Sequence, residues 1–301
     1  MADDARIDTK TSEEVIALWP NGAPRDLPPT GGEQVFRRAA GYPEGPLTDM
    51  LRNVDDPTLA VYRPTGAKAN DVGVIVAPGG GWSILAWEHE GVDMANWLAA
   101  RGYTAFLLKY RVTATTRDEK AFDEESLKTA QRVNQPYTGK TAPRSLMKML
   151  NGINPVLSLG REIAADDGRR ALEIMRERAG ELGLKRFGMI GFSAGAFLTV
   201  DVGLEPGGAP LDFIAPIYGG ETEGRPIPAD APALFTCIAQ DDRILYKVVE
   251  GLYRDWSDAD RPAELHIYRR GGHGFGMVRQ GAPVDSWIDL FEAWLKDLGF
   301  A

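Results

Sequence analysis

RFGMIGFSAGAFL, residues 186–198, decides how this chain is read. Its first five residues are a short apolar run suited to a buried strand, and from Ala194 onward (AGAFLTVDV) the pattern is that of a helix. Between them, Gly191-Phe192-Ser193-Ala194-Gly195 fits G-x-S-x-G. A serine on a sharp strand-to-helix turn is lifted into the cleft above the sheet, and the two glycines leave room for that turn. The free amide donors and positive dipole end of the following helix face the place where an oxyanion develops. The same five residues could form a glycine-rich turn with an ordinary N-cap serine. The strand before and the helix after favour a nucleophile.

Outward from this turn, strands and helices alternate. Residues 59–62, 72–77 (VGVIVA), 103–108, 211–217, 233–239 (ALFTCIA) and 263–268 (AELHIY) read as strands, and 88–101, 162–182, 244–259 and 286–298 as helices. VGVIVA is apolar throughout, as expected of a strand covered on both faces. This alternation implies an α/β fold with a mostly parallel, doubly wound sheet and helices on both faces, whose chemistry collects at the carboxyl ends of the strands. Two regions break the pattern. Residues 1–57, rich in Pro and Gly, read as an irregular N-terminal arm on a domain of residues 58–301. Residues 111–159 are polar and poorly periodic, with Phe122, Tyr137, Leu146 and Leu150 as scattered anchors. This stretch reads as a lid or cap insertion over the site.

The remaining parts of a serine mechanism can be sought by order. A serine on such a turn is followed along the chain by its acid and then its histidine. The chain has three histidines. His89 precedes the serine, and His266 lies within the strand AELHIY. His273, in GGHGFG just after that strand, is the expected base. The strand ALFTCIA runs into Asp241-Asp242, and by spacing either aspartate can orient the imidazole. VGVIVA is followed by Pro78-Gly79-Gly80-Gly81-Trp82, where backbone N–H groups can approach a substrate oxygen closely. The expected oxyanion donors are the N–H of Ala194 and that of Gly80 or Gly81. No Gly-Lys-Ser/Thr follows the glycines and no G-x-G-x-x-G is present, so a phosphate loop is disfavoured. Trp82 is a candidate substrate-binding side chain, offering a ring to a sugar or aryl group.

The motifs PGGGW, Glu90-Gly91, LLKYR (107–111), GFSAGAFL, AQDD and ELHIYRRGGHGFG resemble the acetyl xylan esterase-like, or carbohydrate esterase, group of the α/β-hydrolase fold, a relative of the dienelactone hydrolase and prolyl oligopeptidase groups. The resemblance runs from about residue 59 to the C-terminus, apart from the 111–159 insertion. It implies Asp242 as the triad acid, because Asp242 precedes Arg243 and the apolar pair Ile244-Leu245. It departs from the group's pattern in Tyr246, where proline is usual, and in Ala196, where glycine is usual. It implies a serine esterase acting on short, acetyl-type esters of a carbohydrate. The alternatives are a general carboxylesterase for aryl or alkyl esters, a peptidase, and a non-catalytic binding protein on the same fold.

Bulk properties bound the rest. The chain has 301 residues, a formal net charge of -9 and a single cysteine. An acidic surface disfavours nucleic acid and anionic membranes as partners. A lone Cys237, inside ALFTCIA and outside the nucleophile motif, rules out an internal disulfide and a cysteine-nucleophile mechanism of the dienelactone hydrolase type. The histidines have no metal-ligand spacing, so no metal and no cofactor is expected. The opening MADDARIDTK lacks the zones of a signal peptide, which implies a cytoplasmic location, or a periplasmic or secreted one if a leader was trimmed.

Overall fold

The computed structural model describes residues 14–25, 27–41, 44–65, 67–133, 145–146, 155–208 and 210–300. In chain order the strands are β1 (Glu14–Ala17), β2 (Gln34–Ala39), β3 (Leu47–Arg52), β4 (Thr58–Tyr62), β5 (Val72–Ala77), β6 (Ile84–Leu85), β7 (Thr104–Lys109), β8 (Arg186–Phe192), β9 (Phe213–Ile217), β10 (Ala233–Ala239) and β11 (Ala263–Tyr268). The helices are α1 (Asp93–Ala100), α2 (Glu119–Val133), α3 (Pro155–Glu177), α4 (Ala179–Leu182), α5 (Ala194–Gly203), α6 (Tyr246–Asp258) and α7 (Trp287–Asp297).

The main sheet runs β1-β4-β7-β5-β8-β9-β10-β11. From β7 to β11 every pairing is parallel, while β4 pairs antiparallel with β7 and β1 antiparallel with β4. The chain leaves β5 for β7 on one side and later returns to β8 on the other. The order therefore reverses between β5 and β8, and a crevice opens above their carboxyl ends. Alternation along the strands assigns the helical layers. A Cβ on Gly73 would meet Leu184 and Met175, and the Arg176 guanidinium lies over the Phe187 ring, so α3 covers that face. Gly188 and Phe213 are in register on the opposite face, where Phe213 packs against Phe291 and Trp294 of α7. β5 is buried along its whole length, as its unbroken apolar run implies.

Within the irregular N-terminal arm expected over 1–57, residues 1–13, 26 and 42–43 lie outside the described residues, and the described part is corrected by the structure. β1 extends the main sheet through β4, and β2 and β3 form an antiparallel ribbon that β6 continues into a second, three-stranded sheet. These segments are four to six residues long and set among prolines and glycines; β1 and β2 alternate half-buried with exposed residues, while β3 is mostly buried. Each pairs with a distant or equally short partner, so propensity within a short window carries little of their signal. The 111–159 insertion lies partly outside the described residues, including Tyr137 and Leu150. Its described ends are α2 and the first turn of α3, which begins seven residues before the expected helix start at 162. Phe122 and Leu146 are buried, as expected of anchors. Leu146 N–H donates to the buried Glu221 carboxylate at 2.9 Å.

Candidate active site

Ser193 stands at the β8–α5 turn with φ 49° and ψ -114°, a left-handed conformation that a non-glycine residue adopts only under constraint. Its neighbours impose that turn. A Cβ on Gly195 would lie 2.1 Å from the carbonyl oxygen of Ala77, at the end of β5. The second glycine of the motif thus lets the serine turn press against the loop that follows β5. A Cβ on Gly79 would in turn lie 2.8 Å from Cβ of Ser193, so the glycine loop passes directly beside the serine. The N–H groups of Gly80, Gly81 and Ala194 have no protein acceptor among the described residues.

The structure brings Ser193, His273 and Asp242 together. Ser193 Oγ is 2.8 Å from His273 Nε2, and His273 Nδ1 is 2.6 Å from Asp242 Oδ2. With the proton on Nδ1 directed at the carboxylate, Nε2 is free to accept from the serine hydroxyl. Asp242 has no solvent exposure, and its other oxygen accepts from Ile244 N–H at 3.1 Å and Leu245 N–H at 3.0 Å. Spacing alone left two aspartates, and the geometry separates them. Asp241 turns away from the imidazole and accepts from the N–H groups of Gly271 (3.0 Å) and Gly272 (2.9 Å), bracing the loop that carries His273. His273 has its pKa raised above the ordinary value. Desolvation of the ring opposes its charged form, but the charge and hydrogen bond of Asp242, with the charge of Glu90, outweigh it.

Other candidates fall elsewhere. Trp82 is 2% exposed, in a left-handed conformation, and meets Phe197 edge to face at 5.6 Å. Its ring is committed to the core beneath α5, and it presents no open face for stacking, which corrects the expectation of a sugar platform. His266 Nε2 pairs with Glu264 at 2.6 Å on the outer strand. Cys237 is fully buried, and burial pushes its thiol pKa well up, so it carries no thiolate. The described residues contain no His/Cys/Asp/Glu group suited to a metal ion, and no helix among them is long and apolar enough to cross a membrane. Apart from the triad, a cavity of about 430 Å³ is lined by Arg25, Arg161, Arg169 and Arg225 together with Asp201 and Glu223. Its guanidinium groups are all engaged by carboxylates. Asp201 receives Arg161 at 2.7 Å and Arg225 at 2.7 Å, and Glu223 also receives Arg161.

Sequence reasoning passed over two residues at the centre of the site. The motifs single out Glu90 only within the Glu90-Gly91 pair, and Tyr218 not at all. Both are buried between the glycine loop and the histidine loop. Glu90 lies in a turn of π-helix, Trp87–Val92, that precedes α1. That turn breaks the 3.6-residue period used to assign inner and outer faces, so the usual helical pattern misplaces this carboxylate.

A strand-turn-helix nucleophile, a glycine loop and an Asp-His pair above a mostly parallel sheet define the α/β-hydrolase fold. The chain belongs to the Dienelactone hydrolase family, whose model matches residues 59–293. No curated protein matches the chain. Among solved structures it is similar to an acetyl ester-xyloside bifunctional hydrolase from Caldicellulosiruptor lactoaceticus, with 20% identity over 96% of this chain and 98% of that one and a TM-score of 0.60. It is similar to an α/β-hydrolase from a Medee basin deep-sea metagenome library, at 19% identity over 88% and 98% of the two chains, with a TM-score of 0.54. It is also similar to Thermogutta terrifontis esterase 2 phosphorylated by paraoxon, at 18% identity over 91% and 96%, with a TM-score of 0.56. These likenesses show the fold, and membership of the Dienelactone hydrolase family makes the chain a hydrolase.

Proposed function

We propose that this chain is a serine esterase that removes short acyl groups, acetyl foremost, from a carbohydrate ester. The unbroken chain Ser193 Oγ to His273 Nε2 at 2.8 Å and His273 Nδ1 to Asp242 Oδ2 at 2.6 Å carries the reading. In this mechanism His273 takes the Ser193 proton as Oγ attacks the ester carbonyl carbon. Asp242 holds the imidazole tautomer and stabilises the imidazolium. The carbonyl oxygen gains its negative charge beside the N–H groups of Ala194 and Gly80 or Gly81. His273 returns the proton to the departing alcohol oxygen, leaving the acyl group on Oγ. Water, deprotonated by the same imidazole, then attacks the acyl carbon; the bond to Oγ breaks, the carboxylic acid leaves, and the imidazolium returns its proton to Oγ to regenerate Ser193. No metal or cofactor enters any step, and the partner is the ester itself.

The acetyl ester-xyloside hydrolase named above supports the sugar ester. The burial of Trp82 favours a second reading in the same class, a carboxylesterase for aryl or alkyl esters without a tryptophan sugar platform. The test is turnover of 4-nitrophenyl acetate and its longer-chain esters, followed by acetylated xylosides, with Ser193→Ala in parallel. Release of acetate from the xyloside at a kcat/KM above that for simple alkyl acetates supports the sugar esterase. Preference for aryl or alkyl esters selects the second reading, and absence of any turnover overturns both.

A further inference from the structure

Across the nucleophile, two loops must keep a fixed spacing: the glycine loop after β5 and the loop of residues 271–277 that carries His273. Glu90 touches the supports of both. Its Oε2 accepts from Gly79 N–H at 2.7 Å. Its Oε1 accepts from Tyr218 O–H at 2.6 Å, and the Tyr218 oxygen accepts from Gly276 N–H at 3.1 Å. Tyr218, at the end of β9 in a left-handed conformation, sets its ring edge-on to His273 at 5.2 Å. Burial and the Glu90 charge raise the Tyr218 pKa well above the ordinary value, so the phenol stays a donor. The π turn adds a tie of its own, since Met277 N–H donates to the His89 carbonyl at 3.0 Å. Gly79 N–H is thereby consumed, and the N–H groups of Gly80 and Gly81 are the ones left toward the substrate.

We propose that Glu90 is a positioning residue of the esterase reaction, one buried carboxylate that locks the oxyanion loop and the histidine loop to each other. The proposal rests on the esterase reading above. Glu90 also adds a second negative charge behind His273. The groups facing the imidazole are Asp242 from the end of β10, Ser193 from the β8–α5 turn, Tyr218 from the end of β9, and Glu90 from the π turn. The groups facing Glu90 are Tyr218, His89 at 3.7 Å and Tyr110, whose hydroxyl donates to the Pro78 carbonyl at 2.7 Å. Among the described residues neither Glu90 nor Asp242 has a lysine or arginine partner, so no cation offsets either charge at the imidazole.

Two substitutions separate charge from reach. Glu90→Gln keeps the size but removes the charge, and its single amide oxygen can serve only one of the two donors. Glu90→Asp keeps the charge but falls one methylene short of the loops. The expected result for Glu90→Gln is a kcat lower by about tenfold or more, with KM for 4-nitrophenyl acetate within about twofold of wild type. His273, followed by NMR of its ring protons, then titrates at lower pH than in wild type. Glu90→Asp should lower kcat while leaving that titration in place. The proposal is overturned if Glu90→Gln keeps kcat within twofold. It is equally overturned if the loss follows a lowered melting temperature while the His273 titration stays put, since Glu90 is then a structural carboxylate only. Should the wild-type chain hydrolyse no ester, the esterase reading fails by itself, and an unmoved His273 titration would separately reject the Glu90 role.

Discussion

Two buried aspartates, Asp167 under the N-terminal segment and Asp242 at the end of β10, show what burial does and does not say about chemistry. Asp167 has no solvent exposure and is filled on all sides by permanent donors. Arg111 reaches it with Nη2 at 2.6 Å and with its own backbone N–H at 2.9 Å, and Trp19 Nε1 donates at 2.7 Å. Asp242 is as deeply buried, but its partners are two backbone N–H groups and one imidazole. The guanidinium cannot release its proton near neutral pH, whereas the imidazole exchanges one. Depth and pairing alone therefore do not distinguish a structural carboxylate from one that serves catalysis. The titratable partner and its access to Ser193 make the difference.

The largest effect expected is on the serine that defines the Asp242 region. Ser193→Ala should lower kcat by about a millionfold with little change in thermal midpoint, measured on 4-nitrophenyl acetate. A variant retaining more than about a hundredth of the wild-type rate would remove the contrast altogether. Next, Asp242→Asn should cost about ten-thousandfold in kcat while the fold survives, because the imidazole is left in the wrong tautomer. Asp167→Ala should do the reverse. It leaves Arg111 buried without its charge partner, so denaturant unfolding should show a loss of about 3–5 kcal/mol, with kcat per folded molecule near that of wild type. Equal stability losses for Asp242→Asn and Asp167→Ala would erase the distinction between the two carboxylates.

Smaller still is the effect of Asp241→Ala. It loses two hydrogen bonds to the loop of His273 but no charge on the imidazole, so a fall in kcat of about tenfold is expected. A ten-thousandfold loss would instead make Asp241 the triad acid.

The mildest probe is pH. Since the folded His273 pKa is raised, the acid limb of kcat/KM should have its midpoint above pH 6.5, because the base works only when neutral. The same shift contributes stability that is complete below pH 6.5 and is lost as pH rises through the folded pKa, so the catalytically active neutral form is the less stabilised one. An acid limb centred below pH 6.5 would mean that desolvation prevails over Asp242 and Glu90.

Much of this site was legible in the order of short motifs. G-x-S-x-G after an apolar strand, a glycine loop after VGVIVA and a histidine after AELHIY each occur where strand meets loop, and local pattern reports such junctions well. The strands of the parallel sheet were equally legible, because burial on both faces leaves unbroken apolar runs such as that of β5. Less came through where partners are far apart. β1, the edge strand, pairs with β4 about forty residues on, and nothing in the sequence of either strand shows that pairing. Trp82 illustrates the opposite failure: an aromatic beside a catalytic loop can as well pack inward, and only the position of Phe197 and α5 settles which.

By itself, then, the sequence determined the α/β class, the nucleophile turn and the candidate base, because these depend on local backbone geometry and on the fixed order of elements along the chain. Tertiary structure separated Asp241 from Asp242 where spacing left both open and only the family resemblance favoured Asp242; it also placed β1, β2 and β3 in sheets and drew Glu90 and Tyr218 between the two loops. Those choices depend on where side chains separated by tens of residues meet, and on a π turn that shifts one carboxylate off the helical period.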